Sequence, residues 1–376
     1  MSPSNVVKVG RANPQTQSLL MQLPQEVRLM IYASLFSSTR FTSGPRGGWD
    51  MVIHHFIPAP HGLALLVSCC QAYVEIGKSW IGQVLFCFET VKAMVDKLAD
   101  IPLETRSMIR HVRVSSHPMM IEYSTGLAQY DTYQVFKLLP GLKLDRLTVC
   151  GTGEAHSSYD ALNRLVKYSD GWKELHYKSH TSGFIGYKVT WLDENDEATG
   201  ENRFLREPQP GGWQRTLEDR DGSKSGASVT IYRSNLPYLD DSEPYISNKG
   251  TWDEFTQALA PDQDIEEYQD AEDPRLMADG EIEKEMLVVV KRGRGVDYEE
   301  KQGSPYVEEG DIRELFPGKT WAEIKASKDT VLEIFSEGVH YNDHVYQETH
   351  VDLVDDYTHV DDYVWPSTHV FRYLSE

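Results

Sequence analysis

His340 and His344 stand one helical turn apart near the end of the chain, a spacing with which two imidazoles can reach one zinc ion. His350, His359 and His369 follow, so five of the 13 histidines crowd into this stretch among Asp343, Asp352, Asp355, Asp356, Asp361 and Asp362. The intervening residues read His-Tyr-Asn-Asp-His, however, and the glutamate that serves as general base in a His-Glu-x-x-His protease helix is absent. The near-duplication of residues 354–358 by 360–364 looks like a drifted tail, so no metal site is expected there.

A second chemical candidate is Lys291-Arg292-Gly293-Arg294-Gly295, a glycine-rich turn after a strand-like run. It lacks the Gly-Lys-Ser/Thr ending of a phosphate loop, and Asp297, Glu299 and Glu300 stand where phosphate would bind. A polar turn is the expectation. His54, His55 and His61 have no cysteine or carboxylate at ligand spacing, and no Gly-x-Ser-x-Gly elbow occurs. The four cysteines, Cys69, Cys70, Cys87 and Cys150, form neither a C-x-x-C pair nor a disulfide framework. Arg106, Arg110 and Arg113 read as a solvated face, and Tyr73, Lys78, Trp80 and Phe88 as core packing. No catalytic residue, cofactor or metal is expected, and the chain reads as non-enzymatic.

Charge narrows the partners. The chain of 376 residues carries a net charge of −21, with residues 1–190 holding 19 Lys+Arg against 14 Asp+Glu and residues 191–376 holding 18 against 44. So acidic a second half repels phosphate backbones and anionic lipid, which argues against nucleic acid and membrane partners. The longest nearly uninterrupted apolar run, 62–70, is too short to span a bilayer, and the polar start lacks a signal-peptide core. An intracellular protein, cytoplasmic or nuclear, is expected.

The most informative run is Leu23-Pro24-Gln25-Glu26-Val27-Arg28-Leu29-Met30-Ile31-Tyr32-Ala33-Ser34-Leu35. Val27, Met30, Ile31 and Leu35 recur at helical spacing, Pro24 suits a helix start, and Glu26 meets the positive end of the helix dipole. So short a helix is unstable alone and must dock on something.

This run resembles the opening of an F-box, Leu-Pro-x-Glu-(Ile/Val)-x-x-x-Ile-x-x-x-Leu, matched by Leu23, Pro24, Glu26, Val27, Ile31 and Leu35. It is most similar to a divergent F-box-like segment of proteins from filamentous fungi, which Arg28 and Tyr32 also fit. Their second helix is echoed by Ala64-Leu65-Leu66 through Ser68-Cys69, Tyr73 and Glu75. The likeness covers residues 18–36 and 63–88, and the Gly- and Pro-rich insert 37–62 departs from it. The resemblance implies a substrate receptor whose Leu23, Pro24, Glu26, Val27, Ile31 and Leu35 engage the adaptor subunit of a cullin-type ubiquitin ligase while the body holds a protein substrate. The alternative is a scaffold in which the same helix is buried in its own core.

Downstream, Ile109/Val112/Val114, Leu144/Leu147/Val149 and Trp172/Leu175/Tyr177 share one apolar pattern, each after a helix-like stretch (90–99, 132–139, 159–168). Alternating helices and strands favour parallel pairing, and the layout looks like degenerate leucine-rich repeats or a plain α/β layer. Beyond residue 183, strands are expected at 184–191, 227–232 and 286–291, a polar loop at 193–226, and helices at 251–260, 321–326 and 330–335. The expected fold is α+β or α/β. It comprises a disordered start (1–17), a helical F-box-like head (18–88), a repeat-like body (89–182), a mixed region (183–338) with an acidic loop at 261–285, and an acidic tail (339–376).

Overall fold

Val112, Leu147 and Leu175, the middle residues of the three apolar patterns, lie side by side on adjacent parallel strands. The computed structural model describes residues 18–46, 53–58, 63–88, 90–123, 126–151, 155–187, 206–237, 252–257, 272–301, 312–327 and 330–332. The expected disordered start, 1–17, the tail, 339–376, and residues 261–271 of the acidic loop lie outside them.

The chain enters through α1 (Leu19–Gln22) and α2 (Gln25–Ser37), then forms the hairpin β1 (Arg40–Arg46) and β2 (Ile53–Pro58). Helices α3 (Ala64–Ser68) and α4 (Cys70–Ile76) lead to β3 (Leu85–Phe88). The head is therefore not purely helical. Its segment supplies three strands to the main sheet, because β1 and β2, both within the insert, pair with each other and β1 pairs with β3.

Next come α5 (Val91–Leu98), α6 (Leu103–Arg106) and β4 (His111–Ser115). A hairpin of β5 (Met119–Tyr123) and β6 (Gly126–Tyr130) precedes α7 (Thr132–Phe136), β7 (Leu144–Cys150), α8 (Ala155–Tyr168) and β8 (Trp172–Ser179). The remainder is α9 (Gly211–Asp221), β9 (Ser228–Pro237), β10 (Trp252–Phe255), α10 (Pro274–Met277), β11 (Lys284–Lys291), α11 (Ile312–Leu315), α12 (Trp321–Lys325) and β12 (Thr330–Leu332).

Nine strands form one mixed sheet in the order β10-β9-β11-β8-β7-β4-β3-β1-β2, and β12-β5-β6 form a small second sheet. The five strands β1, β3, β4, β7 and β8 are parallel and advance across the sheet in chain order. Among these five strands the order never reverses, so no switch point of the kind that receives ligands in doubly wound sheets lies among them. Crossovers of one hand place their helices on one face. Consistently, α5 packs on α7, α7 on α8 and α8 on α9.

Registration explains the core. Phe86, Val112, Leu147, Leu175, Val290 and Val229 form one row across the strands, and Phe88, Val114, Val149, Tyr177, Val288 and Ile231 the next. All twelve side chains are buried. The facing helices contribute Val91, Met94, Val95 and Leu98 from α5 and Tyr159, Leu162, Leu165 and Val166 from α8.

Several expectations fail for identifiable reasons. Residues 182–185 form a 3-10 turn instead of a strand, since Phe184 and Ile185 are both buried and Ser182 Oγ donates to the carbonyls of Leu276 and Glu281. The polar loop at 193–226 contains α9, which buries Trp213 and Leu217 one turn apart. Where a helix was expected at 251–260, residues 252–255 are a strand, because the open edge of β9 supplies backbone partners. Residues 330–332 likewise pair with β5 as a strand. Neither Arg106 nor Arg113 belongs to a solvated face, for both are buried. Arg106 donates to the carbonyls of Pro140 and Ile101 at 3.2 Å each.

Arg292 settles the glycine-rich turn. Its guanidinium is buried over the Trp172 ring, 2.9 Å from Asp170 and 2.8 Å from Asp221, and the Gly293 amide donates to Asp221 at 2.7 Å. A Cβ on Gly293 would stand 2.3 Å from the Ser225 side chain, so the close approach demands glycine. The turn holds the acidic half to the body.

Truncating the shared row should be costly and local. Leu147→Ala is expected to destabilise the protein by about 2–5 kcal/mol in denaturant titration. Lys173→Ala on the exposed side of β8 should stay within about 0.5 kcal/mol.

Candidate docking surface

Arg28, Tyr32 and Phe36, spaced one turn apart, are the residues that α2 turns inward. They lie one residue along from the expected apolar row. Phe36 reaches Trp80, with ring centroids 6.5 Å apart, and Trp80 in turn meets Phe41 edge-on at 5.8 Å. At the other end Arg28 Nε donates to Glu75 Oε2 on α4 at 2.9 Å, and its Nη2 grips the second carboxylate oxygen. The Tyr32 hydroxyl donates to the same carboxylate at 3.3 Å, and Gln71 Nε2 at 2.9 Å. Arg28, Tyr32 and Glu75 thus converge on one seam.

The seam is enclosed, with the Arg28 and Glu75 side chains 8% and 10% accessible. Hydrogen bonds from Arg28 hold the Glu75 carboxyl below the usual carboxylate range, and the same bonds raise the Arg28 guanidinium. Burial raises the Tyr32 phenol. α4 itself starts on Cys69, whose Sγ accepts from the Ala72 amide at 3.3 Å.

Because polar and aromatic residues take the inward face, the apolar row is left outside. Leu23, Val27 and Ile31 are 36%, 39% and 40% exposed, Met30 is 72%, and Leu35 is half-buried. Pro24 and Glu26 are exposed as well, Pro24 preceding the first turn and accepting from the Arg28 amide at 3.1 Å. A self-sealed helix would need Leu23, Ile31 and Leu35 covered; Leu23 and Ile31 are exposed and Leu35 is half-buried.

Among the described residues, nine of the eleven exposed large hydrophobic side chains belong to the head: Leu19, Leu23, Val27, Leu29, Met30, Ile31, Val67, Tyr73 and Val74. Tyr73 and Lys78, expected in the core, face solvent, since α4 docks through Ala72 and Ile76 instead. Residues 18–38 contain only Glu26 and Arg28 as charged side chains, and residues 63–77 only Glu75. With Arg28 and Glu75 spent on each other in the seam, Glu26 is the one exposed charge of these helices. Sequence reasoning missed the part played by Tyr73 and Val74. The near-absence of charge over 63–77 was the available signal.

Elsewhere, His54 and His55 lie on β2, while His61, His340, His344, His350, His359 and His369 lie outside the described residues. Among the described residues no group of three or more His, Cys, Asp or Glu could hold a metal ion, and no helix is long and apolar enough to cross a membrane. All four cysteines are free thiols. Comparison with family models, curated proteins and solved structures returned no match.

The seam carries a definite pH signature. A carboxyl whose folded-state pKa is depressed stabilises the fold above its unfolded value, and that contribution is lost as pH falls through the folded value. Denaturant titrations should therefore show Glu75→Gln less stable than wild type at neutral pH, with the gap closing as pH drops below about 4.

Proposed function

We propose that this protein is a non-enzymatic, F-box-like interaction protein that docks the adaptor subunit of a cullin-type ubiquitin ligase through Leu23, Pro24, Val27, Ile31 and Leu35, with Glu26 at the rim. The observation that carries the reading is an apolar, nearly charge-free helix face left open in a protein that is 25% charged. Depletion of charge together with Met and Tyr is the composition of interface cores, and contiguous exposed apolar surface marks interaction sites. The binding mode is a helix laid into an apolar groove, read through anchors one turn apart. The resemblance of the Leu-Pro run to an F-box supplies the identity of the partner.

The advancing parallel strands would then present a protein substrate, and the protein would work inside the cell, in cytoplasm or nucleus. The acidic second half disfavours nucleic acid as that cargo.

Each fully buried Leu or Ile anchor contributes about 1.5–3 kcal/mol, so losing one weakens binding roughly tenfold or more. Ile31→Asp and Leu23→Asp are expected to abolish co-purification of the adaptor while circular dichroism and melting stay near wild type. Wild-type protein that retains no adaptor under mild conditions would overturn the reading.

A further inference from the structure

Arg28 makes more contacts than an ion pair requires. Besides gripping both oxygens of Glu75, its Nη1 donates to the carbonyls of Leu23 and, at 3.3 Å, Met21. Carbonyls at the end of a four-residue helix lack intrahelical donors, and Pro24 has no amide hydrogen to offer. One guanidinium therefore links three pieces of chain: the α1–α2 corner, α2 itself and α4. Its planar fork of donors is what makes this possible, since a lysine ammonium is a single point charge.

We infer that Arg28 and Glu75 are the positioning residues of the docking surface, fixing the Leu23–Pro24 step against α4 so that Leu23, Val27 and Ile31 are presented as one row. The consequence for binding rests on the docking reading above; the mechanical part rests on the seam alone. Neither residue belongs to the exposed row. The groups that face Glu75 are Arg28 and Tyr32 from α2 and Gln71 on its own helix, with Cys69 beside Tyr32. None of these four is a carboxylate, so Glu75 is the acid-titrating group of the seam.

The test compares full-length wild type, Arg28→Lys and Glu75→Gln by two readouts. The first is hydrogen exchange at the amides of Gln22 and Leu23, which donate to the Ser18 and Leu20 carbonyls and close the end of α1 that leads into the corner. The second is affinity for purified adaptor subunit as a function of pH. Arg28→Lys should speed exchange at Gln22 and Leu23 about tenfold, leave Leu147 unchanged, and weaken adaptor binding by a similar factor. Wild-type affinity should fall as acid titrates Glu75, and Glu75→Gln should lack that step. A purely structural role would not move this pH profile.

Unchanged protection of Gln22 and Leu23 in Arg28→Lys overturns the inference. Should wild type bind no adaptor at all, the docking reading falls, and the exchange result still decides whether the clamp positions the corner. Should Arg28→Lys fail to fold, Glu75→Gln is judged on the same amides: faster exchange upholds the inference and unchanged exchange overturns it.

Discussion

Which face of α2 turns inward is decided by a buried ion pair acting with one aromatic ring, and the exposed surface of the head follows from that choice. Burial of apolar area alone would favour turning Val27, Ile31 and Leu35 toward the protein. Arg28 and Glu75 reverse the preference because, once enclosed, each must keep its partner; an uncompensated charge there is costly. Phe36, packed against Trp80 at the other end of the helix, makes the same choice compatible with a filled core. The apolar row is thereby left exposed at Leu23, Val27, Met30 and Ile31 and half-buried at Leu35.

This surface is carried on a stiff base. α2 ends at Ser37 and β1 begins at Arg40, with the Thr39 hydroxyl donating to the Leu35 carbonyl at 2.7 Å across the join. β1 is in turn a parallel neighbour of β3, so the head and the nine-stranded sheet share backbone hydrogen bonds. A binding face mounted on regular elements holds its geometry better than one on loops. Anything gripped by the body would sit at a defined place relative to the head.

The acidic half joins the body by a different logic. β11 inserts between β8 and β9 with Met286, Val288 and Val290 buried, while the turn that follows is held by charge. Arg292 reaches Asp170 and Asp221, and the enclosed Lys137–Glu300 pair at 3.4 Å pins the next segment beside backbone bonds from Gly141 to Glu300 and from Gly171 to Tyr298. Basic groups that the sequence scatters among acids are the ones that fasten this half in place.

Much of the fold was legible because short-range pattern and burial agree in it. The helices α5 and α8 and the strands β4, β7, β8 and β11 are read directly from apolar spacing, since each buries one face and its period is that of its own backbone. The α+β or α/β class follows from their alternation. What the chain alone could not decide lay where a residue's partner comes from far away in sequence. Trp252 and Phe255 suit a helix by spacing, yet they form a strand because β9 offers an edge. Arg106 and Arg292 look like surface residues by type, yet they are inside because a distant carbonyl receives the one and distant carboxylates the other. The Leu-Pro helix was determined by its own residues, apolar row included. Whether that row would face the core or the solvent was decided only by the fold, through a glutamate 47 positions along the chain that captures Arg28.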